Sequence, residues 1–134
     1  MANERTEVKI LNFLKSVPEI STLTKGNIFQ YFAPINTHGK TDTFVTINRY
    51  DTVPLDRTFA DEVSWLRVKI EIVIYGRTYE KLSQTVAAIQ RAMETEWPGA
   101  SDGEIGLEPM ELSNTVWVPF RLDYKIMEDV RNIN

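Results

Sequence analysis

The chain has 134 residues, 43% hydrophobic and 25% charged, a composition and length that suit one soluble domain with one core. Its net charge of −4 argues against a general nucleic-acid-binding surface, which needs an excess of lysine and arginine. It contains no cysteine, so disulfides, thiolate metal sites and a cysteine nucleophile are excluded.

The first third of the chain predicts one helix followed by two strands. Apolar residues recur at helical spacing over residues 5–17, and Pro18 ends the helix before a short turn. Residues 28–32 and 43–50 have the β-branched and aromatic content of strands. The polar residues between them predict a flexible loop at about 33–42.

The middle of the chain carries the clearest strand signal. Residues 51–62 contain Pro54 and several aspartates, and we expect a long, mobile loop there. Residues 66–74 then alternate between apolar and charged side chains, which is typical of a strand with one buried face. The same segment is too often interrupted by charge to cross a membrane as a helix, and the polar N-terminus does not resemble a signal peptide.

A second helix and two more strands complete the predicted elements. Thr78 is a good N-cap for a helix that ends at Trp97. A polar loop over residues 99–106 is expected next, then a weak strand at 107–112. The last strong strand is predicted at 118–126 by its alternating pattern, and residues 128–134 are expected to fray.

The order of these elements, α-β-β-β-α-β-β, predicts the fold class. Two amphipathic helices and several strands with one apolar face indicate an α+β two-layer sandwich. Both helices are expected on one face of a mainly antiparallel sheet. Residues 1–134 are expected to form a single domain.

Several short motifs suggest chemistry but lack its full requirements. Gly39-Lys40-Thr41 precedes a strand and has Pro34 where a phosphate loop needs its first glycine, so a phosphate loop is not predicted. His38 is the single histidine and has no cysteine partner for zinc. Asp102, Glu104, Glu108 and Glu111 form an acidic cluster without calcium-loop spacing, so a structural or interface role is favoured. No catalytic, cofactor or metal residue is therefore predicted.

The sheet face opposite the core is the feature that indicates a binding role. It carries Trp65 and Trp117 at its ends and a mixture of charges between them. Aromatic and arginine side chains are enriched at protein interfaces. In the simpler interpretation the tryptophans fold over the sheet ends, and Lys69 and Glu71 form cross-strand pairs with Arg121 and Asp123.

The layout resembles the tail terminator and tail completion proteins of long-tailed bacteriophages, and is most similar to the tail-to-head joining type of Bacillus phages. The opening helix and the segments 28–34, 44–47, 68–76 and 120–124 carry this resemblance. It covers about residues 5–127 and consists of apolar alternation, with no invariant signature.

The resemblance implies a non-enzymatic virion protein that caps the head-proximal end of the tail tube and joins tail to head. Such proteins form hexameric rings around the DNA channel, sometimes only on the tail. Implied partners are other copies of the chain, the tail tube protein and a head completion or connector protein. DNA passes through without specific binding, and no cofactor or membrane is involved. The expected location is the virion, and the host cytoplasm during assembly.

A ring needs two different patches that meet on neighbouring copies. We expect the outer sheet face and the loops at 33–42 and 51–62 to supply these patches. The interface residues predicted on this basis are Trp65, Arg67, Lys69, Trp117, Arg121, His38, Lys40, Asp56, Arg57 and Phe59.

The alternative from another class is a small-molecule or nucleotide-binding regulatory domain, because α+β sandwiches host many such sites. Its one candidate feature is Gly76-Arg77-Thr78, which begins the second helix and suits an anion at most. An enzyme is a weaker alternative, since no nucleophile and base are paired in the sequence.

Overall fold

The computed structural model describes residues 5–34, 37, 41–57, 63–112 and 114–129. Its helices are α1 (Thr6–Ser16), α2 (Pro18–Thr24) and α3 (Tyr79–Glu96). Its strands are β1 (Ile28–Gln30), β2 (Thr43–Arg57), β3 (Val63–Gly76), β4 (Ser101–Gly106), β5 (Met110–Leu112) and β6 (Thr115–Asp129). Among the described helices, none has the length and apolar character needed to span a bilayer.

The predicted α+β two-layer architecture is confirmed. The main sheet has the strand order β1-β2-β3-β6-β4, and β5 pairs with the start of β6. β1 runs parallel to β2, and every other pairing is antiparallel. α1 packs over β1 and β2, and α3 packs over β3 and β6. The turn predicted after Pro18 is the helix α2, with proline in its first turn, so the helical layer holds one helix more than predicted.

The core lies between the helices and the two long central strands. β3 and β6 pair along nearly their whole length, which places Ile70 opposite Tyr124 and Ile72 opposite Leu122. The alternating residues predicted to face inward on β3 are buried at positions 68, 70, 72 and 74. α3 covers them with the predicted stripe that includes Ile89 and Met93. The alternating apolar residues of the strands and the helical apolar stripe of α3 therefore pack against each other.

The junction between β3 and α3 explains why the chain turns there. The Thr78 hydroxyl accepts a hydrogen bond from the Lys81 amide at 3.2 Å, which caps α3 as predicted. A Cβ atom on Gly76 would lie only 2.9 Å from the Leu82 Cβ atom. Glycine is therefore required where the strand end and the first helical turn approach so closely.

Three segments predicted as irregular are strands, so these predictions were wrong. Residues 51–57 continue β2 beside β3, although the residues at 58–62 lie outside the described part of the chain. Residues 101–106, predicted as a loop, form β4 along β6. Glu128 and Asp129, predicted to fray, are the last residues of β6. In each case pairing with a distant strand outweighs the local turn signal.

A buried ion cluster ties the start of α1 to the sheet. The Arg49 guanidinium on β2 donates to both carboxylate oxygens of Glu7 on α1, at 2.7 and 3.0 Å, and also to Glu128 on β6. The three side chains are at most 8% exposed. The Thr6 amide and hydroxyl also donate to Glu128, at 2.9 and 2.7 Å. Glu7 has a further contact with the exposed Arg5 at 3.4 Å, but Arg49 is the buried cation that both carboxylates share.

Arg49→Ala removes the only cation that joins both carboxylates among the described residues. We expect a loss of about 3–5 kcal/mol in the free energy of unfolding, because two buried carboxylates lose their shared partner. Urea denaturation measures it. The matched control is Arg91→Ala, which removes an exposed pair with Glu19 and should cost about 1 kcal/mol or less. Equal losses in both variants would contradict this role for Arg49.

The cluster also predicts a pH dependence of stability. Burial raises the pKa of Glu128. Hydrogen bonds from Thr6 and Arg49 together lower it by more, so the pKa lies below the ordinary 4.5. A carboxylate with a lowered folded pKa stabilises the protein above its unfolded pKa, and this contribution is lost as the pH falls through the folded value. The stability difference between wild type and Glu128→Gln should therefore be largest near neutral pH and shrink below about pH 4.5. Denaturation of both proteins at a series of acidic pH values measures this difference. A stability difference that stays constant across the series would contradict the prediction.

Candidate assembly surface

The outer face of the sheet begins with an aromatic patch made of Phe44, Tyr75, Trp117 and Arg77. Phe44 stacks on Tyr75 with ring centroids 4.5 Å apart, and its edge meets Trp117 at 4.9 Å. The Arg77 guanidinium lies over the Trp117 ring at 5.1 Å. Each contact joins residues from a different strand or strand end, so the patch holds β2, β3 and β6 together from the outer side.

Trp117 is fully buried within the aromatic patch, which corrects its predicted place on an accessible face. Phe44 is 2% exposed, and the neighbouring outer-face residues Thr46 and Val73 are also buried. β5 pairs with β6 at Trp117, with Met110 directly opposite. The simpler interpretation, in which a tryptophan folds against the end of the sheet, therefore holds for Trp117. This half of the outer face is a second small core.

The middle of the outer face carries a charged network centred on Arg121. Its guanidinium contacts Asp123 at 2.6 Å and Glu71 at 3.1 Å, and it lies over the Tyr50 ring at 4.8 Å. The Asn48 amide also donates to Glu71 at 3.0 Å. The hydrogen bond to Asp123 raises the pKa of Arg121, against a smaller opposing effect of burial. Arg121 is thus held in one orientation by groups from all three central strands.

The strand register differs from simple cross-strand pairing of opposite charges. Glu71 lies directly opposite Asp123, and Lys69 lies opposite Lys125. Like charges that face each other are unfavourable. Arg121 relieves the acidic pair because it contacts Glu71 diagonally across the strands and Asp123 two positions along its own strand. Lys69 has Asp51 as its opposite residue on β2.

The far end of β2 extends beyond its edge neighbour β1. β1 pairs only with residues 45–47 of β2, whereas β2 continues to Arg57. We call residues 51–57 and 63–68 the distal hairpin. Leu55 on this hairpin is 45% exposed, and Met127 on the adjoining β6 is 57% exposed. A two-stranded hairpin is marginally stable by itself, so β6, paired along β3, stabilises it from one side.

The predicted interface residues fall into three groups. Trp65 and Arg67 lie on the distal hairpin and are partly buried. Lys69 and Arg121 lie in the charged middle of the face, Lys69 on β3 opposite Lys125 and Arg121 on β6 opposite Val73. Asp56 and Arg57 belong to β2, but their side chains lie outside the described part of the structure, as do His38, Lys40 and Phe59 entirely.

Sequence reasoning missed Tyr50, Leu55 and Met127 as surface residues of this end of the sheet. Val53 and Leu55 alternate with the less apolar positions 52, 54 and 56, and this alternation is the signal that a strand extends past position 50. Pro54 masks that signal, although proline is compatible with a strand that has one open edge.

The features that would support a ligand site are limited in the described residues. Arg77, in the suggested anion motif, lies over Trp117 and is 3.7 Å from Asp42. Thr78 uses its hydroxyl for the helix cap. An open groove of about 510 Å³ lies between α2 and α3, beside Leu23 and Gln84. Within the described segments, no group of three or more histidine, aspartate or glutamate residues has the arrangement of a metal site.

The chain has distant structural neighbours among solved proteins. No protein-family model matches the chain, and no curated protein matches it. Among solved structures, it is similar to the sheath/tube terminator of an extracellular contractile injection system, PVC, in its extended state, with 14% identity and a TM-score of 0.37. The match covers 95% of this chain but only 58% of the terminator. A similarity at this level carries no argument about function.

Trp117→Ala tests whether the aromatic patch is structural. We expect a loss of about 3–5 kcal/mol in the free energy of unfolding, because a fully buried indole leaves a large cavity. Val116→Ala is the control on the same strand, since Val116 is 58% exposed and its truncation should change stability by about 0.5 kcal/mol or less. Thermal and urea denaturation give both values, and a Trp117→Ala protein as stable as the control would show that the patch does not hold the strands.

Proposed function

We propose that this chain is a non-enzymatic virion assembly protein that caps the head-proximal end of a phage tail tube and joins tail to head. In this proposal several copies form a ring around the DNA channel. The resemblance in its sequence pattern implies six copies. Its partners are the tail tube protein, a head completion or connector protein and other copies of itself.

The observation that carries the proposal is the distal hairpin beside the charged network. The hairpin presents Leu55 and Trp65 at an end of the sheet that extends past β1. The network holds Arg121 and Glu71 in fixed positions on the adjoining face. Fixed charges next to exposed apolar side chains are typical of a protein-binding surface.

The charge of the chain supports the same proposal. The net charge is −4, so the surface as a whole does not favour binding to the phosphates of DNA. An acidic wall suits a channel through which DNA slides without being held.

The direct test is complementation of tails assembled without this chain, from the phage that encodes it. Purified tagged protein is mixed with such tails and imaged by negative-stain electron microscopy. We expect label at one end of each tube and restored joining to heads. Well-folded protein that leaves the tubes bare and unjoined would contradict the proposal and favour the ligand-binding alternative.

The distal hairpin has its own prediction within this assay. A Trp65→Ala, Leu55→Ser double variant should reduce tail joining at least about tenfold, because apolar anchors carry most of an interface's energy. The same variant should unfold at nearly the wild-type denaturant concentration, since both side chains are at least partly exposed. Tyr79→Ser, which removes a 77% exposed side chain from the first turn of α3, is the control. Unchanged joining in the double variant would remove the hairpin from the docking surface.

A further inference from the structure

β4 is the last strand of the main sheet, and one of its two edges is open. It pairs with β6 on one side, and no described strand pairs with its other side. Every residue of Ser101–Gly106 is exposed. An edge strand directs the N–H and C=O groups of every second residue away from its neighbour, where another strand can bind them. The open edge of β4 can therefore accept a further strand.

An apolar groove of about 240 Å³ lies beside this open edge, between α3 and the sheet. Its lining includes Val86 and Ala87 of α3 and Phe120 of β6. Gly106 lies opposite Phe120 in the strand register, and a Cβ atom on Gly106 would be 3.9 Å from the Phe120 ring. Because Gly106 has no side chain, the ring is only partly covered at the end of β4.

Two carboxylates flank the groove. Glu104 of β4 accepts a hydrogen bond from Gln90 of α3, which is also a lining residue of the groove. Burial and the nearby carboxylates of Glu94 and Glu104 raise the pKa of Tyr124 to about 12. Glu94 and Glu104 therefore lie close to the same hydroxyl, although one belongs to α3 and the other to β4. Both are exposed, so the open edge is acidic on the side that faces the helix.

The basic residues around this edge do not neutralise these two carboxylates. Residues 92–120 contain six acidic residues and no lysine or arginine. Arg91 of α3 contacts Glu19 at 2.8 Å, and Lys125 of β6 contacts Asp102 at 3.4 Å. A positive group from outside the chain would thus be attracted to Glu94 and Glu104.

The spacing along β4 determines which side chains an added strand would place here. Glu104 and Gly106 are two positions apart, so both face the helical side of the sheet. Ile105 lies between them on the outer face, opposite Arg121, and is 54% exposed. An added strand would place every second side chain on the helical side. One such side chain would lie beside Glu104, and the next would lie beside Gly106, over the groove.

We propose that the open edge of β4 binds an extended segment of another protein by strand addition, and that this segment carries a lysine or arginine two positions from a large apolar residue. The cation pairs with Glu104 and Glu94, and the apolar side chain fills the groove over Phe120. Backbone hydrogen bonds give affinity in this mode of binding, and the alternate side chains give specificity. The inference does not rest on the proposed function, because the open edge, the groove and the carboxylates are the same whichever protein supplies the segment.

The same features exclude other strands. The register shift between Ser101 and Gly103 and the carboxylates on the strand are devices that protect an edge from uncontrolled pairing. They disfavour an acidic strand, including β4 of a second copy, because like charges across an interface are unfavourable. A basic strand meets no such repulsion.

The first experiment uses a synthetic peptide in which threonine alternates with lysine, leucine and lysine in that order. This pattern places a lysine two positions from the leucine in both directions, so it suits parallel and antiparallel addition alike. We expect saturable binding to the full chain at low salt, measured by fluorescence anisotropy of the labelled peptide. A matched peptide with glutamate in place of both lysines should bind at least about tenfold more weakly.

Substitutions in the chain test the charge contact and the groove separately. Glu104→Lys should weaken binding of the lysine peptide at least about tenfold and strengthen binding of the glutamate peptide. Ala87→Phe fills the groove from a partly exposed position and should also weaken binding of the lysine peptide. Asp51→Lys is the control, because it makes the same change of charge at an exposed position of β2, three strands from β4, and should leave binding unchanged. Circular dichroism confirms that each variant folds.

Methylation of the peptide backbone separates strand addition from a contact made by charge alone. In an added strand every second N–H donates to β4 and the others face away. One peptide is N-methylated at its lysine and leucine residues, and a second is N-methylated at its threonine residues. We expect only one of the two to bind at least about tenfold more weakly, because only one set of amides loses its hydrogen bonds to β4.

Several results would overturn the inference. They are the absence of saturable binding of the lysine peptide up to about 1 mM, equal binding of the glutamate peptide, and equal binding of the two methylated peptides. Binding that Glu104→Lys and Ala87→Phe both leave unchanged would place the peptide elsewhere on the chain and would contradict the inference as well.

Discussion

The buried cluster of Glu7, Arg49 and Glu128 is the constraint on which the layout of this domain depends. Burying one of these charges without the others would cost several kcal/mol, so α1, β2 and β6 must be in place together. The strand that carries Arg49 continues for eight residues past it, well beyond the residues that pair with β1.

The outer face of the sheet serves two different physical purposes. Around Trp117 it is packed and dry, and the aromatic stack closes the strand ends that lie furthest from the ion cluster. Around Arg121 it is charged and ordered, and towards Leu55 it is open. On the outer face, the stabilising aromatic contacts thus lie around Trp117, whereas the part towards Leu55 is free to present side chains to a partner.

The net charge of −4 conceals an uneven distribution along the chain. Residues 92–120 contain six acidic residues and no lysine or arginine. The fold balances part of this excess, because Asp102 contacts Lys125 at 3.4 Å and Glu104 accepts a hydrogen bond from Gln90. Glu108 and Glu111 remain exposed beside β5.

The sequence by itself determined the elements whose signals are local. The alternation at 66–74, the stripe and Thr78 cap of α3, and the two-layer α+β class all follow from spacing that a short segment carries alone. Only the tertiary structure decided that residues 51–57 and 101–106 are strands, that Trp117 is buried, and that Arg49 meets Glu128, 79 positions away. Periodicity indicates which face of an element is apolar. The partner that covers this face is decided by pairing between distant segments, and turn residues such as Pro54 give no information about that pairing.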